Sequence, residues 1–130
     1  MAAGASFLTF RKCSPGEAMP WLAAAERKGR GQGAQSLNEL IPRGHCYMLG
    51  IDGEPVGAYL LEQIGGEVFI LAAAGRAEID LTDALDRVVT FQAAGFGSVA
   101  FRTIRPGLMK KAAALGYVRC GNVMRKRIAP

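Results

Sequence analysis

A basic, glycine-rich segment is the first place in this sequence where residue types and spacing suggest chemistry. The stretch from Lys28 to Ala34 reads KGRGQGA and combines two cations with three glycines. Such residues can hold a phosphate, because glycine lets backbone N–H groups approach the anion closely. A dinucleotide-binding loop follows a strand, whereas this segment follows a predicted helix. A mobile lid over a substrate site and a plain flexible linker are both consistent with it.

The cysteine and histidine residues predict neither a metal centre nor a disulfide framework. Cys13, Cys46 and Cys120 are far apart and show no CxxC spacing. An odd number of scattered cysteines is typical of a reducing compartment, which predicts a cytoplasmic protein. His45 and Cys46 are neighbours in a predicted strand, so their side chains point to opposite faces and form a poor chelate.

Charge and hydropathy limit the classes of partner. The formal net charge is +5, and part of it lies in Arg125, Lys126 and Arg127 near the end of the chain. Basic clusters bind nucleic acids, but no aromatic residues interleave with these charges as in a single-strand-binding groove. Nucleic-acid contact and a solvated strand end are both consistent with the cluster. The longest apolar run, Val68–Ala74, is too short to cross a bilayer.

The hydrophobic pattern predicts one α/β domain over residues 1–130, with a flexible N-terminus at residues 1–5. Asp52-Gly53 lies between two apolar runs and predicts a β-hairpin. Glu67–Ala73 is apolar on both faces, as in a central strand, and Val118–Ile128 is predicted to be a single last strand. The element order is β-α-α-β-β-β-α-β-α-β. It predicts a mixed, mostly antiparallel six-stranded sheet with a central parallel pair and helices on both faces.

Helix-start signals place the predicted helices along the chain. Ser14, followed by Pro15 and by Glu17, has the pattern of a capping box with proline at the first helical position. Pro20 predicts either a kink in this helix or its true beginning. Ser36–Ile41 is predicted to be a second short helix.

Two short motifs accompany this order of elements. Asp52-Gly53-Glu54-Pro55-Val56-Gly57 is similar to a "dG.pVG" hairpin, and Leu115-Gly116-Tyr117 is similar to an "lGF/Y" motif that ends a helix before the last strand. Motifs and order together resemble the GNAT superfamily of acyl-CoA-dependent N-acetyltransferases, from Phe7 to Ile128. Neither motif is catalytic. The small size and degenerate loop are similar to phage and prophage members of that superfamily.

The resemblance implies a site for acetyl-CoA or a related acyl-CoA along the central strand. In the family, this strand holds the pantetheine arm through backbone hydrogen bonds, and the following loop wraps the pyrophosphate at a helix N-terminus. The loop here has one glycine. Glu78, Asp80 and Asp83 stand where the anion would sit, which predicts a weakened site. The residues assigned to the cofactor are Leu71, Ala72, Ala73, Gly75, Arg76 and Ala77.

The same resemblance also points to catalytic groups. The tyrosine that acts as general acid in many members is replaced here by Ala112, and Tyr117 is interpreted as a core residue. An amine must lose a proton before it attacks a thioester. Glu62, Glu67 and Tyr59 are the candidates for the group that accepts this proton, and no metal is implied.

Two functions follow from these observations. The first is a GNAT-like N-acyltransferase with an atypical and weakened site, acting on an unknown amine. The alternative is a catalytically inactive or phage virion-associated binding protein, which contacts protein, or nucleic acid through Arg125, Lys126 and Arg127. The expected location is cytoplasmic, or virion-associated if the second function applies.

Overall fold

Eleven helices and strands follow one another in the computed structural model, which describes residues 7–28 and 36–128. The glycine-rich segment beyond Lys28 and the N-terminal residues 1–5 lie outside the described residues. The elements are β1 (Leu8–Cys13), α1 (Pro15–Lys28), α2 (Leu37–Leu40), β2 (His45–Ile51), β3 (Glu54–Ile64), β4 (Glu67–Gly75), α3 (Leu81–Gln92), β5 (Ser98–Arg102), α4 (Pro106–Ala114), β6 (Val118–Cys120) and β7 (Val123–Arg127). Helix α2 continues into a short 3-10 turn at Ile41–Arg43.

One mixed sheet contains all seven strands, in the order β1-β2-β3-β4-β5-β7-β6. Strands β4 and β5 are parallel, and the other neighbouring pairs are antiparallel. The predicted mixed sheet with one central parallel pair is therefore confirmed. A parallel pair needs a crossover connection, and α3 supplies it here.

Helices cover both faces of the sheet, as predicted, and each face has its own apolar core. Leu22 of α1 and Leu40 of α2 pack with Leu60 on one face, which we call the α1 face. Val89 of α3 packs on the other face with Tyr59 and its neighbours, and we call this the α3 face. Burial of two apolar layers is the main favourable term for a chain of this size.

The local turn and cap signals form the predicted structures. Asp52 and Gly53 have φ angles of 52° and 85°, which are the left-handed values that a tight hairpin turn requires. The Ser14 hydroxyl accepts a hydrogen bond from the Glu17 N–H at 3.2 Å, and the Glu17 carboxylate accepts one from the Ser14 N–H at 3.1 Å. This capping box begins α1 at Pro15, and the helix runs through Pro20 to Lys28.

The prediction of one long last strand, Val118–Ile128, was wrong. The segment divides into β6 and β7, which pair antiparallel across a tight turn at Gly121, whose φ angle is 63°. A glycine adopts this angle without steric cost, so the chain reverses there. The sheet therefore has seven strands where six were predicted.

Among the described helices, none is both long enough and apolar enough to span a membrane.

Candidate functional site

A cleft opens where strands β4 and β5 diverge. The parallel ladder joins Glu67–Ile70 of β4 to Ser98–Phe101 of β5. Strand β4 then continues to Gly75, whereas β5 ends at Arg102 and the chain turns into α4. The backbone of β4 beyond Ile70 thus faces a cleft on this side. Along this edge, the backbone N–H and C=O groups of β4 beyond Ile70 are not paired with β5. Backbone polar groups require hydrogen-bond partners, and a ligand in the cleft can supply them.

A β-bulge in β4 marks the start of the open part. The pairing of β3 with β4 passes from Leu61–Ile70 to Leu60–Ala72, so Leu71 is the extra residue. A bulge changes the direction in which the following side chains point and increases the local twist. Consequently Leu71 and Ala72 both pack towards the α1 face, and Ala73 again packs towards the α3 face, as Ile70 does.

The cleft has a volume of about 1000 Å³, at the upper end of the range for small-molecule sites. Its walls come from the open part of β4, the loop after it, α3, the end of β5 and the first turns of α4. All six residues that the sequence analysis assigned to a cofactor line it, namely Leu71, Ala72, Ala73, Gly75, Arg76 and Ala77.

The charge of the described lining is mainly positive. Arg76, Arg102, Arg105 and Lys111 contribute cations, and Asp86 is the one carboxylate in the described lining. Lys111 forms a 3.0 Å ion pair with Asp80. No ion pair joins the other three cations to a carboxylate among the described residues. The cleft is therefore suited to an anionic ligand.

The carboxylates of the loop after β4 lie beside the cleft and outside its described lining. Asp80 caps α3 by accepting a hydrogen bond from the Asp83 N–H at 3.2 Å. The hydrogen bond from Lys111, followed by that from the Asp83 N–H, lowers the pKa of Asp80. Glu78, Asp80 and Asp83 are all absent from the described lining. The expected repulsion of an anion by these carboxylates is thus offset by the cations that line the cleft.

A polar cluster lies on the α3 face of the cleft. Lys126 donates to both carboxylate oxygens of Asp86, at 3.0 and 3.2 Å, and its ammonium group lies 5.7 Å from the centre of the Tyr117 ring. Burial, followed by the charge of Asp86, raises the pKa of Tyr117. Tyr117 is buried in the core, as the sequence predicted, yet it also lines the cleft.

No protein-family model matches the sequence, and no curated protein sequence matches it significantly. Solved structures do match its fold. The ribosomal-protein-S18-alanine N-acetyltransferase from Escherichia coli aligns with a TM-score of 0.66 at 12% identity, over 95% of this chain and 96% of that chain. A GNAT family acetyltransferase from Elizabethkingia anophelis with acetyl-CoA bound gives 0.61 at 10% identity, over 92% and 97%.

The N-acetylglutamate synthase from Neisseria gonorrhoeae, complexed with coenzyme A and N-acetyl-glutamate, aligns with a TM-score of 0.66 at 15% identity. The alignment covers 95% of this chain and 36% of that chain. The chain has the GNAT fold. Identities this low show the shared architecture, and the activity must be argued from the site itself.

Within this GNAT fold, the two glutamates predicted as bases lie at the closed end of the β3–β4 pair. Glu67 is the first residue of β4 and accepts hydrogen bonds from Ser98 at 2.7 Å and from Arg125 at 3.1 Å. The bond from Arg125 is the main reason that the pKa of Glu67 is lowered. Glu62 forms a 2.8 Å ion pair with Arg43. Neither carboxylate lines the cleft, and both are paired with cations.

Tyr59, the third predicted catalytic residue, is fully buried on the α3 face. Its hydroxyl donates a hydrogen bond to the side-chain oxygen of Gln92, and its ring stacks on that of Tyr47 with centroids 5.4 Å apart. Burial raises the pKa of Tyr59, so its hydroxyl keeps its proton. The contacts are those of a core residue.

The basic cluster near the end of the chain is divided between the two faces of β7. Arg125 pairs with Glu67, and Lys126 points to the opposite face and pairs with Asp86. Arg127 is exposed. Two of the three charges thus neutralise carboxylates of this same chain. Among the described residues, no group of three or more metal-binding side chains lies close together.

Sequence reasoning missed four lining residues that carry charge, because they come from three different elements. Arg102 ends β5, Arg105 precedes α4, and Lys111 and Asp86 lie within helices. The one available signal was the recurrence of cations between residues 102 and 111, in the connection that follows a strand paired with the central strand.

Proposed function

We propose that this protein is an acyl-CoA-dependent N-acyltransferase that uses acetyl-CoA or a related acyl-CoA. The observation that supports it best is the divergence of β4 from β5. It creates a cleft along an open strand edge that is lined by cations. An acyl thioester supplies the activated carbonyl carbon, and the chain supplies a place that holds the thioester beside an amine. Holding two reactants together can itself lower the barrier by several kcal/mol, about 7–11 in favourable intramolecular cases.

The open edge of β4 fits an extended ligand that contains amide groups. Beyond Ile70, the β4 backbone presents its N–H and C=O groups to the cleft instead of to β5. An extended ligand with amides can add to such an edge in the way that a strand would. Ala72 and Ala73 are small and leave room for it beside the strand.

The cations at the α3 end of the cleft fit the phosphate groups of such a ligand. Arg76 follows the last residue of β4, Arg105 precedes α4, and Lys111 reaches the N-terminus of α3 through Asp80. Positive side chains here take over part of the role that a glycine-rich loop would have in binding pyrophosphate. The proposed site is atypical because it relies more on side chains and less on backbone N–H groups.

The structural neighbours support the chemical class of the proposed ligand. One carries acetyl-CoA and another carries coenzyme A with N-acetyl-glutamate, and the E. coli neighbour is named for acetylation of an alanine. These are properties of those proteins, and we propose the use of an acyl-CoA for this chain by extension. The alternative, an inactive or virion-associated binding protein, stays a sequence-based prediction, as does a cytoplasmic location.

Calorimetric titration with acetyl-CoA and with free CoA tests the proposal. We expect saturable binding of both with micromolar dissociation constants. Arg76→Ala should weaken binding about 10-fold, which corresponds to about 1.4 kcal/mol. Arg87→Ala is the matched control, because Arg87 is an exposed cation on α3 outside the described lining. Absence of binding at millimolar concentration of either ligand would refute the proposed function.

A further inference from the structure

Two cysteines that are far apart in the sequence lie directly opposite each other in the sheet. Strands β1 and β2 pair antiparallel in one continuous register, which runs from Leu8 opposite Ile51 to Cys13 opposite Cys46. Residues 14–45, which include α1 and α2, separate the two cysteines along the chain. The pairing of β1 with β2 thus brings together two thiols whose spacing in the sequence gave no sign of a pair.

The separation of these two residues suits a disulfide bond. Directly opposite residues of an antiparallel pair have Cα atoms about 4.5–5.5 Å apart, and their Cβ atoms are also about 4.5–5.5 Å apart. Disulfides join Cα atoms about 4.4–6.8 Å apart and Cβ atoms about 3.5–4.5 Å apart. The backbone therefore places Cys13 and Cys46 within bonding range, once their Cβ atoms approach each other by about 1 Å.

Both thiols belong to the same apolar core on the α1 face. Cys46 is buried there, and Cys13 is half-buried and packs against the same core. Burial raises the pKa of both thiols, and the neighbouring Cys46 raises the pKa of Cys13 further. Cys120 is exposed on β6, at the opposite edge of the sheet from β1. The chain thus contains one pair of thiols and one isolated thiol.

The unequal exposure of the pair sets the order in which its members react. Thiol–disulfide exchange requires contact between an external disulfide and the attacking sulfur. Cys13 is the last residue of β1 and is partly open to solvent, whereas Cys46 is only 4% exposed. Cys13 is therefore the thiol that meets an external disulfide, and Cys46 is placed to attack the mixed disulfide that results.

A bond between these strands combines stabilisation with easy reduction. It would close a loop that carries α1 and α2, and a closed loop stabilises the folded state because it restricts the unfolded chain. Strand pairing holds both backbones, so the bond forms with some deviation from relaxed geometry, and such strain makes a disulfide easier to reduce. These properties are those of a reversible disulfide.

We infer that Cys13 and Cys46 form a site of reversible oxidation, at which a low-molecular-weight disulfide such as oxidised glutathione converts them into a disulfide between β1 and β2. The Cys13 thiolate attacks one sulfur of oxidised glutathione, the S–S bond of that molecule breaks, and one glutathione leaves. The Cys46 thiolate then attacks the Cys13 sulfur and displaces the second glutathione. The two protein thiols are oxidised, and the two glutathione molecules released take up their protons. The site is independent of the proposed acyltransferase function, because none of its steps needs an acyl-CoA.

Oxidation of the folded Cys120→Ser variant tests this site. The variant is incubated with oxidised glutathione near pH 8 and quenched with acid, and its cysteine peptides are identified by mass spectrometry. We expect linked Cys13 and Cys46 peptides as the main product, and dithiothreitol should separate them. Urea well below the unfolding midpoint should leave the rate unchanged, since the bond forms in the folded sheet. Persistent glutathione on Cys13, two unreacted thiols, or a bond that forms only in unfolded chains would overturn the inference.

Further cysteine variants provide matched controls for each step. In the wild type, Cys120 has no partner and should retain a bound glutathione, which shows that the reagent is active. When Cys46→Ala is added to Cys120→Ser, the mixed disulfide at Cys13 should persist, because the thiol that displaces glutathione is gone. When Cys13→Ser is added instead, the buried Cys46 should stay a free thiol. A Cys46 that binds glutathione as fast as Cys120 would overturn the assignment of Cys13 as the attacking thiol.

Thermal unfolding measures the effect of the bond on the folded chain. Closing a loop of this length should raise the Tm of Cys120→Ser by about 5–10 °C on oxidation. Dithiothreitol should reverse the shift, and the shift should be absent when Cys13→Ser is added. A lower Tm after oxidation would show that the sheet must distort to form the bond, and it would overturn the inference that the bond fits the folded structure.

Discussion

Strand β4 has two halves that meet different surroundings along its β5 edge. From Glu67 to Ile70 it is hydrogen-bonded to β5, and Glu67 is fixed there by Arg125 and Ser98. From Leu71 to Gly75 it faces a cleft whose lining includes Arg76, Arg102 and Arg105, and none of these three forms an ion pair within the part of the chain that the structure describes. Glu67 is thus neutralised in the closed half, whereas the open half keeps an excess of positive charge. This difference indicates that the closed half maintains the sheet and the open half is available to an anionic ligand.

The other edge of β4 is closed along its whole length. Strand β3 pairs with β4 from Ile64–Glu67 to Gly57–Gly75, with the single bulge at Leu71. The open half is thus supported from one side only. We therefore expect the geometry of the open half to depend strongly on how closely β3 approaches it.

Gly57→Ala should have the largest effect on stability. A Cβ atom at this position would lie 2.4 Å from the Ala74 carbonyl oxygen and 3.0 Å from the Gly75 Cα. Both are backbone atoms of β4, so β3 must move away, at a cost of about 3 kcal/mol. Urea unfolding measures the loss. Gly66→Ala is the control, because no atom lies within 4 Å of the added Cβ. Equal stability of the two variants would show that the open half tolerates a displaced β3.

Ala73→Phe should abolish ligand binding with little loss of stability. Ala73 lines the cleft, so a phenyl ring can extend into space that the ligand would occupy. We expect the affinity for acetyl-CoA to fall at least 100-fold, or about 2.7 kcal/mol. Calorimetry measures the affinity, and thermal unfolding checks the fold. Ala113→Phe is the control, as Ala113 is exposed on α4 outside the described lining. Unchanged affinity in Ala73→Phe would place the ligand elsewhere.

The contrast between the halves explains what the sequence could predict. Local signals in the sequence determine the elements that build the sheet and its helices. Asp52-Gly53 predicts the β2–β3 hairpin, Ser14 predicts the start of α1, and an apolar run predicts β4. The turn at Gly121 was missed because a single glycine inside a run of mixed polarity is a weak signal. The residues assigned to the cofactor do line the cleft.

The charge of the site was harder to predict than its position. Glu78 and Asp80 are adjacent in sequence to the expected anion site, yet they lie outside the described lining. Arg102 and Arg105 reach the cleft from the far side of a crossover connection. Sequence proximity alone could not give the charge of the lining, because the net charge of a cleft depends on tertiary contacts between distant elements.

Glu67→Gln tests whether the closed half contributes stability alone. Loss of the pair with Arg125 should cost about 1 kcal/mol at pH 7, because both side chains are partly exposed and solvent weakens the pair. The pKa of Glu67 is lowered in the folded protein, chiefly by Arg125. Its stabilisation is therefore present above the unfolded pKa of about 4.3 and is lost as the pH falls through the folded pKa.

Urea unfolding at pH 7 and pH 3 checks this prediction. The wild type and Glu67→Gln should differ at pH 7 and converge at pH 3, whereas Glu54→Gln should equal the wild type at both. Glu54 is exposed at the β2–β3 hairpin and is a suitable control. Acetyl-CoA affinity should not change in Glu67→Gln. A weaker affinity would contradict the division of β4 into a structural half and a binding half.

Asp80→Asn should produce the smallest effect and sharpen the comparison at the open half. Asparagine caps a helix about as well as aspartate, so stability should change by less than about 0.5 kcal/mol. The change removes the 3.0 Å ion pair with Lys111 and one negative charge at the N-terminus of α3. Lys111 is then free for a phosphate group, and acetyl-CoA should bind 2- to 3-fold more tightly, or about 0.5 kcal/mol. The gain should disappear near 0.5 M salt, where charges are screened within a few ångströms.

Glu78→Gln is the control for Asp80→Asn. It removes an equal charge without releasing Lys111, so its gain in affinity should be smaller. Weaker binding by Asp80→Asn would mean that the ion pair holds Lys111 in place for the ligand instead of competing with it.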